Sequence, residues 1–239
     1  MSSELSWQQL SEVAEDARPM VQAFREAGGL HYGSLAPEPS RANFARACSL
    51  NGLNGIDGVG HRDIMVPVTD GEIRVRLYQP VEAECAGGSM ATIISNAPAT
   101  GAYQVVGQVL LYPVTDLTAS RPSYGRFQGG LPLVAESMQW FRDLYVPAGT
   151  PLDQPALSPL LHAEGRRQPP MFIATVGLDP LCDEGIEYAA TAARAGGLLE
   201  HHHLPRHMHG IFTAAGRIST AQKLLELAGL FIRRLSRHS

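Results

Sequence analysis

Cysteine is scarce in this 239-residue chain, which holds only Cys48, Cys85 and Cys182. An odd, widely spaced set offers neither a disulfide framework nor the paired ligands of a structural zinc site, and it fits a reduced, cytoplasmic protein. Long apolar runs are missing too: no stretch approaches the roughly 20 residues a membrane-spanning helix needs. The opening MSSELSWQQLSEVAEDA is polar and acidic, without the apolar stretch of a secretory signal. Nor is there a basic excess. Nineteen Lys and Arg against 23 Asp and Glu give a net charge of −4 and a pI near 6.1. Neither nucleic acid nor a membrane is therefore expected as a partner. Internal repeats and low-complexity tracts are absent. What remains is 44% hydrophobic and 18% charged, with length enough for one full core and one domain.

The apolar pattern changes period along the chain. Trp7, Leu10, Val13, Ala14 and Ala17 recur at helical spacing, continue as Met20, Val21 and Phe24 after Pro19, and stop at Gly28-Gly29. A looser region follows, with a short helical piece around Arg41–Cys48 and the glycine-rich NGLNGIDGVG. DIMVPV, Asp70-Gly71 and EIRVRLY then predict an antiparallel hairpin, with Ile73, Val75 and Leu77 alternating against Glu72, Arg74 and Arg76. SMATIIS is a short apolar helix candidate, and Val109–Tyr112 is a continuous apolar run suited to a buried parallel strand. A helix is expected around Met138–Tyr145. MFIATVG and LLEHHHL read as two more strands, separated by the helix DEGIEYAATAARAGG. Asp183 and Glu184 suit the positive end of that helix, and Gly196-Gly197 stop it. STAQKLLELAGLFIRRL closes the chain as a helix, with Ser219 and Gln222 as a capping box and Leu224, Leu227, Phe231 and Leu235 as its buried stripe. Strands alternating with helices predict an α/β fold with a mostly parallel sheet.

In such sheets functional groups collect beyond the carboxyl ends of strands. Asp179 follows one predicted strand and His209 the next. Upstream, Ala83-Glu84-Cys85-Ala86-Gly87 sets a nucleophile between small residues, as a tight catalytic turn requires. The chain order is nucleophile, acid, histidine. Taken singly, Asp179 also reads as a turn residue before Pro180, His209 as a surface histidine, and Cys85 as a small buried hydrophobe. HHHLPRHMH packs five histidines into nine residues, and His201 and His203 share a strand face. No carboxylate or cysteine stands at supporting spacing for a metal, so no metal and no cofactor is expected.

VLLYPVTD, SPL, PPMFIATVGLDPLCDEG, AGG and HMHGIF resemble the bacterial hormone-sensitive-lipase-like esterases, an α/β-hydrolase family. The resemblance runs from about residue 83 to the C-terminus and also covers the predicted hairpin. It implies a single α/β-hydrolase domain over 1–239 with a mostly helical cap from about 1–50 and 117–150. It further implies hydrolysis of small-molecule carboxylic esters with short to medium acyl chains. By the same resemblance Asp179 is the triad acid, His209 the general base and Cys85 the occupant of the serine nucleophile's place. The backbone N–H of Ala86 is then an oxyanion donor.

Two departures from that family stand out. Its His-Gly-Gly-Gly oxyanion run does not occur here. Only six residues separate Tyr78 from Cys85, whereas a parallel crossover needs about 10–12. An internal deletion of central strands is expected, leaving apolar edges uncovered and predicting lower stability or a homodimer. The rival expectation is an inactive remnant kept as a binding or regulatory protein.

Overall fold

A computed structural model of the chain describes residues 7–53, 59–68, 71–80 and 105–236. Among these residues, five strands form two sheets. Strands β1 (Val59–Val68) and β2 (Gly71–Pro80) make the antiparallel hairpin, in register from Val59 opposite Pro80 to Val68 opposite Gly71. Gly71 is thus already in the ladder, where its φ of 146° favours a residue without a β-carbon. Strands β3 (Gln108–Leu111), β4 (Met171–Leu178) and β5 (Leu199–Met208) form a parallel sheet in the order β3-β4-β5.

Strand β4 is the middle strand of this parallel sheet, and its period of two divides the core on either side. Phe172, Ala174 and Val176 face a cluster completed by Ala221, Leu224, Ala228 and Phe231 of the closing helix. Met171 and Ile173 face the opposite cluster, with Tyr188, Ala189 and Ala192. Both faces of β4 are therefore covered by helices, which is why its sequence is apolar but for Thr175. Each fully buried large side chain of this strand contributes about 1.5–3 kcal/mol of apolar burial.

Among the described residues there are six α-helices: α1 (Arg18–Glu26), α2 (Pro37–Asn51), α3 (Pro122–Arg126), α4 (Ala135–Tyr145), α5 (Cys182–Arg194) and α6 (Ser219–Ser236). The first predicted helix is split. Residues Trp7–Glu12 form a 3-10 turn, and α1 begins anew with Pro19 in its first turn, where the missing N–H costs no hydrogen bond. Leu10, Val13, Ala17 and Val21 all join the larger core. Helix α2 is longer than the piece expected around Arg41–Cys48. SMATIIS lies outside the described residues.

The stripe on α6 also differs from expectation. Leu224 and Phe231 are buried and Leu235 packs against the core, but Leu227 is 40% exposed. The inward face runs through Ala221, Leu224, Ala228 and Phe231, rotated toward the small residues that let the helix lie close to the sheet. Its N-terminus is capped from a distance, since Asp16 accepts from the Thr220 N–H at 2.9 Å and the Ser219 hydroxyl at 3.3 Å.

Candidate active site

Parallel pairing of β4 and β5 delivers their carboxyl ends side by side. The register slips between Val176 and Leu178, after which Leu178 stands opposite Met208. Gly177 makes the slip feasible: a β-carbon there would lie 2.2 Å from the Pro205 carbonyl oxygen. The next residue on each strand is then Asp179 and His209.

His209 donates from Nδ1 to Asp179 Oδ2 at 2.8 Å. The other carboxylate oxygen accepts from the Leu181 N–H at 2.9 Å, and the Cys182 N–H closes the turn on the Asp179 carbonyl at 3.1 Å. Asp179 is fully buried, while the His209 side chain is 24% exposed. A buried carboxylate with both oxygens engaged fixes the imidazole tautomer. Nδ1 carries the proton, and Nε2 keeps its lone pair free to accept one.

His209 borders a cleft of about 610 Å³. Met20, Phe24, Leu30, Tyr32 and Phe44, from the N-terminal helices and the turn between them, supply its apolar lining. The ring of Tyr32 packs on Phe44 and on Phe141 of α4, at centroid distances of 6.1 and 5.3 Å. Cys85 and Ala86 fall outside the described residues, so the structure brings together two of the four residues singled out from the sequence.

Sequence reasoning missed Tyr112, which ends the β3 segment. Its ring packs, tilted, against His209 at a centroid distance of 4.0 Å and against Phe212 at 5.1 Å. The run Val109–Tyr112 reads as one strand, yet β3 stops at Leu111 and Tyr112 turns to a φ of 39°. Pro113 marks that boundary in the sequence; nothing marks the ring contact.

Glu184 lies in the first turn of α5, as its place in the sequence suggested, and is fully buried there. Its Oε1 accepts from the N–H groups of Thr115 at 2.6 Å and Asp116 at 3.1 Å, and its Oε2 lies 3.1 Å from the Tyr124 hydroxyl. Burial pushes its carboxyl up to about 8 against the opposing pull of those hydrogen bonds. The loop after β3 is thereby tied to α5, beside the Asp179 turn. The histidine run behaves differently again. His201 Nε2 and His203 Nδ1 both lie 2.9 Å from the Thr175 hydroxyl. Among the described residues, no group of three or more His, Cys, Asp or Glu is placed to hold a metal, and no helix is long and apolar enough to cross a membrane.

Comparison with known proteins agrees with this architecture. A family model described as the alpha/beta hydrolase fold matches residues 84–213. An ethyl acetate hydrolase of Pseudomonas putida is 37% identical over 120 residues, covering 48% of this chain and 37% of that protein. A carboxylic ester hydrolase of Mycobacterium tuberculosis is 36% identical over 137 residues, covering 54% and 36%. The chain thus spans little more than a third of the length of either relative. Among solved structures, an ester hydrolase from the Lake Arreo metagenome superposes with a TM-score of 0.78 at 19% identity, covering 94% of this chain and 99% of that one. A thermostable esterase of Pseudomonas putida gives a TM-score of 0.72 at 17% identity, covering 91% and 95%. The matched family model, the parallel sheet flanked by helices and the likeness in fold together show that this chain belongs to the α/β-hydrolase-fold family.

Proposed function

We propose that the chain is a carboxylic ester hydrolase acting on small-molecule esters with short to medium acyl chains. The observation that carries this reading is the Asp179–His209 hydrogen bond at the wall of an apolar cleft. The names of the matched relatives, ethyl acetate hydrolase and carboxylic ester hydrolase, support the same chemistry. In this mechanism His209 Nε2 takes the proton of the Cys85 thiol, and the thiolate attacks the ester carbonyl. The Ala86 N–H faces the developing oxyanion. Collapse of the tetrahedral adduct breaks the ester C–O bond, and the proton on His209 passes to the departing alcohol. Water activated by His209 then cleaves the acyl thioester. Asp179 holds the imidazole and stabilises its charged form. No cofactor enters these steps.

The cap in this reading comprises about 1–50 and 117–150, with Tyr32, Phe44 and Phe141 as its aromatic seam over the cleft. The protein works in the cytoplasm, in keeping with its three dispersed cysteines. An internal deletion before Cys85 accounts for the six residues between Tyr78 and Cys85 and for the missing His-Gly-Gly-Gly run, and the apolar edge such a deletion would leave favours a homodimer. That same spacing favours a second reading, an inactivated remnant, because loss of one oxyanion donor alone costs roughly 10²–10³ in rate.

Hydrolysis of a chromogenic short-chain ester and thioester by wild type, Cys85→Ala, Cys85→Ser and His209→Ala separates the two. Activity in wild type that falls to background in Cys85→Ala and His209→Ala supports the hydrolase, and retention in Cys85→Ser supports an intact nucleophile turn. Equal rates in all four proteins leave only the remnant.

A further inference from the structure

Tyr112 does more than end a strand. Bulky residues avoid positive φ, and one held there marks a position that its surroundings over-determine. At Tyr112 those surroundings can be named. Its N–H still bonds the Ala174 carbonyl at 2.7 Å, continuing the β3–β4 ladder by one step. The φ of 39° then swings the side chain across the sheet's carboxyl edge, past β4, to the turn that follows β5. There its ring lies between His209 and Phe212. Burial of its phenol raises the Tyr112 pKa and keeps the ring neutral.

We propose that Tyr112 is a positioning residue for His209: its strained backbone holds its ring against the imidazole. Asp179 fixes one ring nitrogen but leaves the imidazole free to rock about the Nδ1–Oδ2 line. A tilted aromatic contact at a centroid distance of 4.0 Å removes that remaining freedom. This role rests on the hydrolase reading for its catalytic meaning, while the orientation of the ring can be measured without turnover.

The test uses the full chain. In proton NMR of wild type, the His209 ring C–H resonances lie upfield through the Tyr112 ring current, and the Nδ1–H bonded to Asp179 appears far downfield. Tyr112→Leu abolishes the upfield shift and broadens the Nδ1–H signal, whereas Tyr112→Phe keeps both. On a short-chain ester, Tyr112→Leu lowers kcat by about 10²-fold with KM changed less than about twofold, as expected for a misplaced catalytic group, and Tyr112→Phe restores most of it. A wild-type His209 without ring-current shift overturns the proposal even if Tyr112→Leu fails to fold. So does a folded Tyr112→Leu protein whose Nδ1–H signal and kcat are unchanged. An inactive wild type with the NMR pattern intact counts against the hydrolase reading alone.

Discussion

Asp16 joins three parts of the chain through one carboxylate. Its Oδ2 caps α6 through Thr220 and Ser219, and its Oδ1 lies 3.0 Å from Nε2 of the buried His207. Burial acts to raise its pKa, but the Thr220 hydrogen bonds and His207 outweigh it and hold Asp16 below the usual carboxylate value. A carboxyl so lowered contributes stability that is complete above the unfolded value near 3.8 and is lost as pH falls through the folded one. Asp16→Ala is expected to cost about 1–2 kcal/mol at neutral pH, the size of a lost helix cap, measured as a shift in the urea midpoint. An unchanged midpoint would show that Ser219 caps the helix unaided, as its sequence position suggests. Reading residues singly works where the backbone sets position, as with Asp179 and His209 just past successive strands. It fails for Asp16 and Tyr112, whose partners are set by tertiary contact: Asp16 and His207 are 191 positions apart.

Elements were legible in proportion to how fully one physical cause determines them. Strand β4 is apolar because both its faces are buried, so its limits followed closely from the sequence. Strand β5 extends to Met208, beyond the predicted end at residue 204, because pairing with β4 resumes after the slip at Gly177. Pro205 reads locally as a strand breaker, but β5 lies at the sheet edge among the described residues, where a missing donor is tolerated. The face of α6 was misjudged for another reason: alanines carry a weak hydrophobic signal, yet Ala221 and Ala228 decide how the helix lies on the sheet. This assignment has a direct consequence. Phe231→Ala, which empties a core position against Phe172 at a ring distance of 6.0 Å, should cost about 3–5 kcal/mol. Leu227→Ala, on the solvent side, should stay within about 0.5 kcal/mol of wild type. Urea unfolding of both variants measures the pair, and comparable losses would place Leu227 back on the buried stripe.

At the scale of the whole molecule, the buried Glu184 and the outward-facing pair His201 and His203 pull stability in opposite directions with pH. His201 and His203 converge on the Thr175 hydroxyl; partial desolvation at that contact lowers both pKa values, and the charges of His203 and His202 lower that of His201 further. The folded chain therefore holds fewer protons there than the unfolded one. Their contribution is complete above the ordinary value of 6.5 and is lost as pH falls below it. Glu184 has the opposite sign. With its carboxyl raised from 4.5 to about 8, the folded chain keeps a proton that the unfolded chain releases. Its contribution is complete below 4.5 and is lost as pH rises toward 8. A plot of urea midpoint against pH should therefore fall on both sides of a maximum. Glu184→Gln keeps an oxygen for the Thr115 and Asp116 N–H groups and carries no charge, so it should flatten the limb between pH 5 and 8 while leaving the acid limb in place. His201→Gln with His203→Asn keeps a nitrogen near each contacting position without a titratable group, and should flatten the limb below pH 6.5 alone. Parallel curves for wild type and Glu184→Gln from pH 5 to 8 would mean that its three hydrogen-bonding partners hold Glu184 ionised throughout. Burial would then have lost to hydrogen bonding at the joint between the β3 loop and α5.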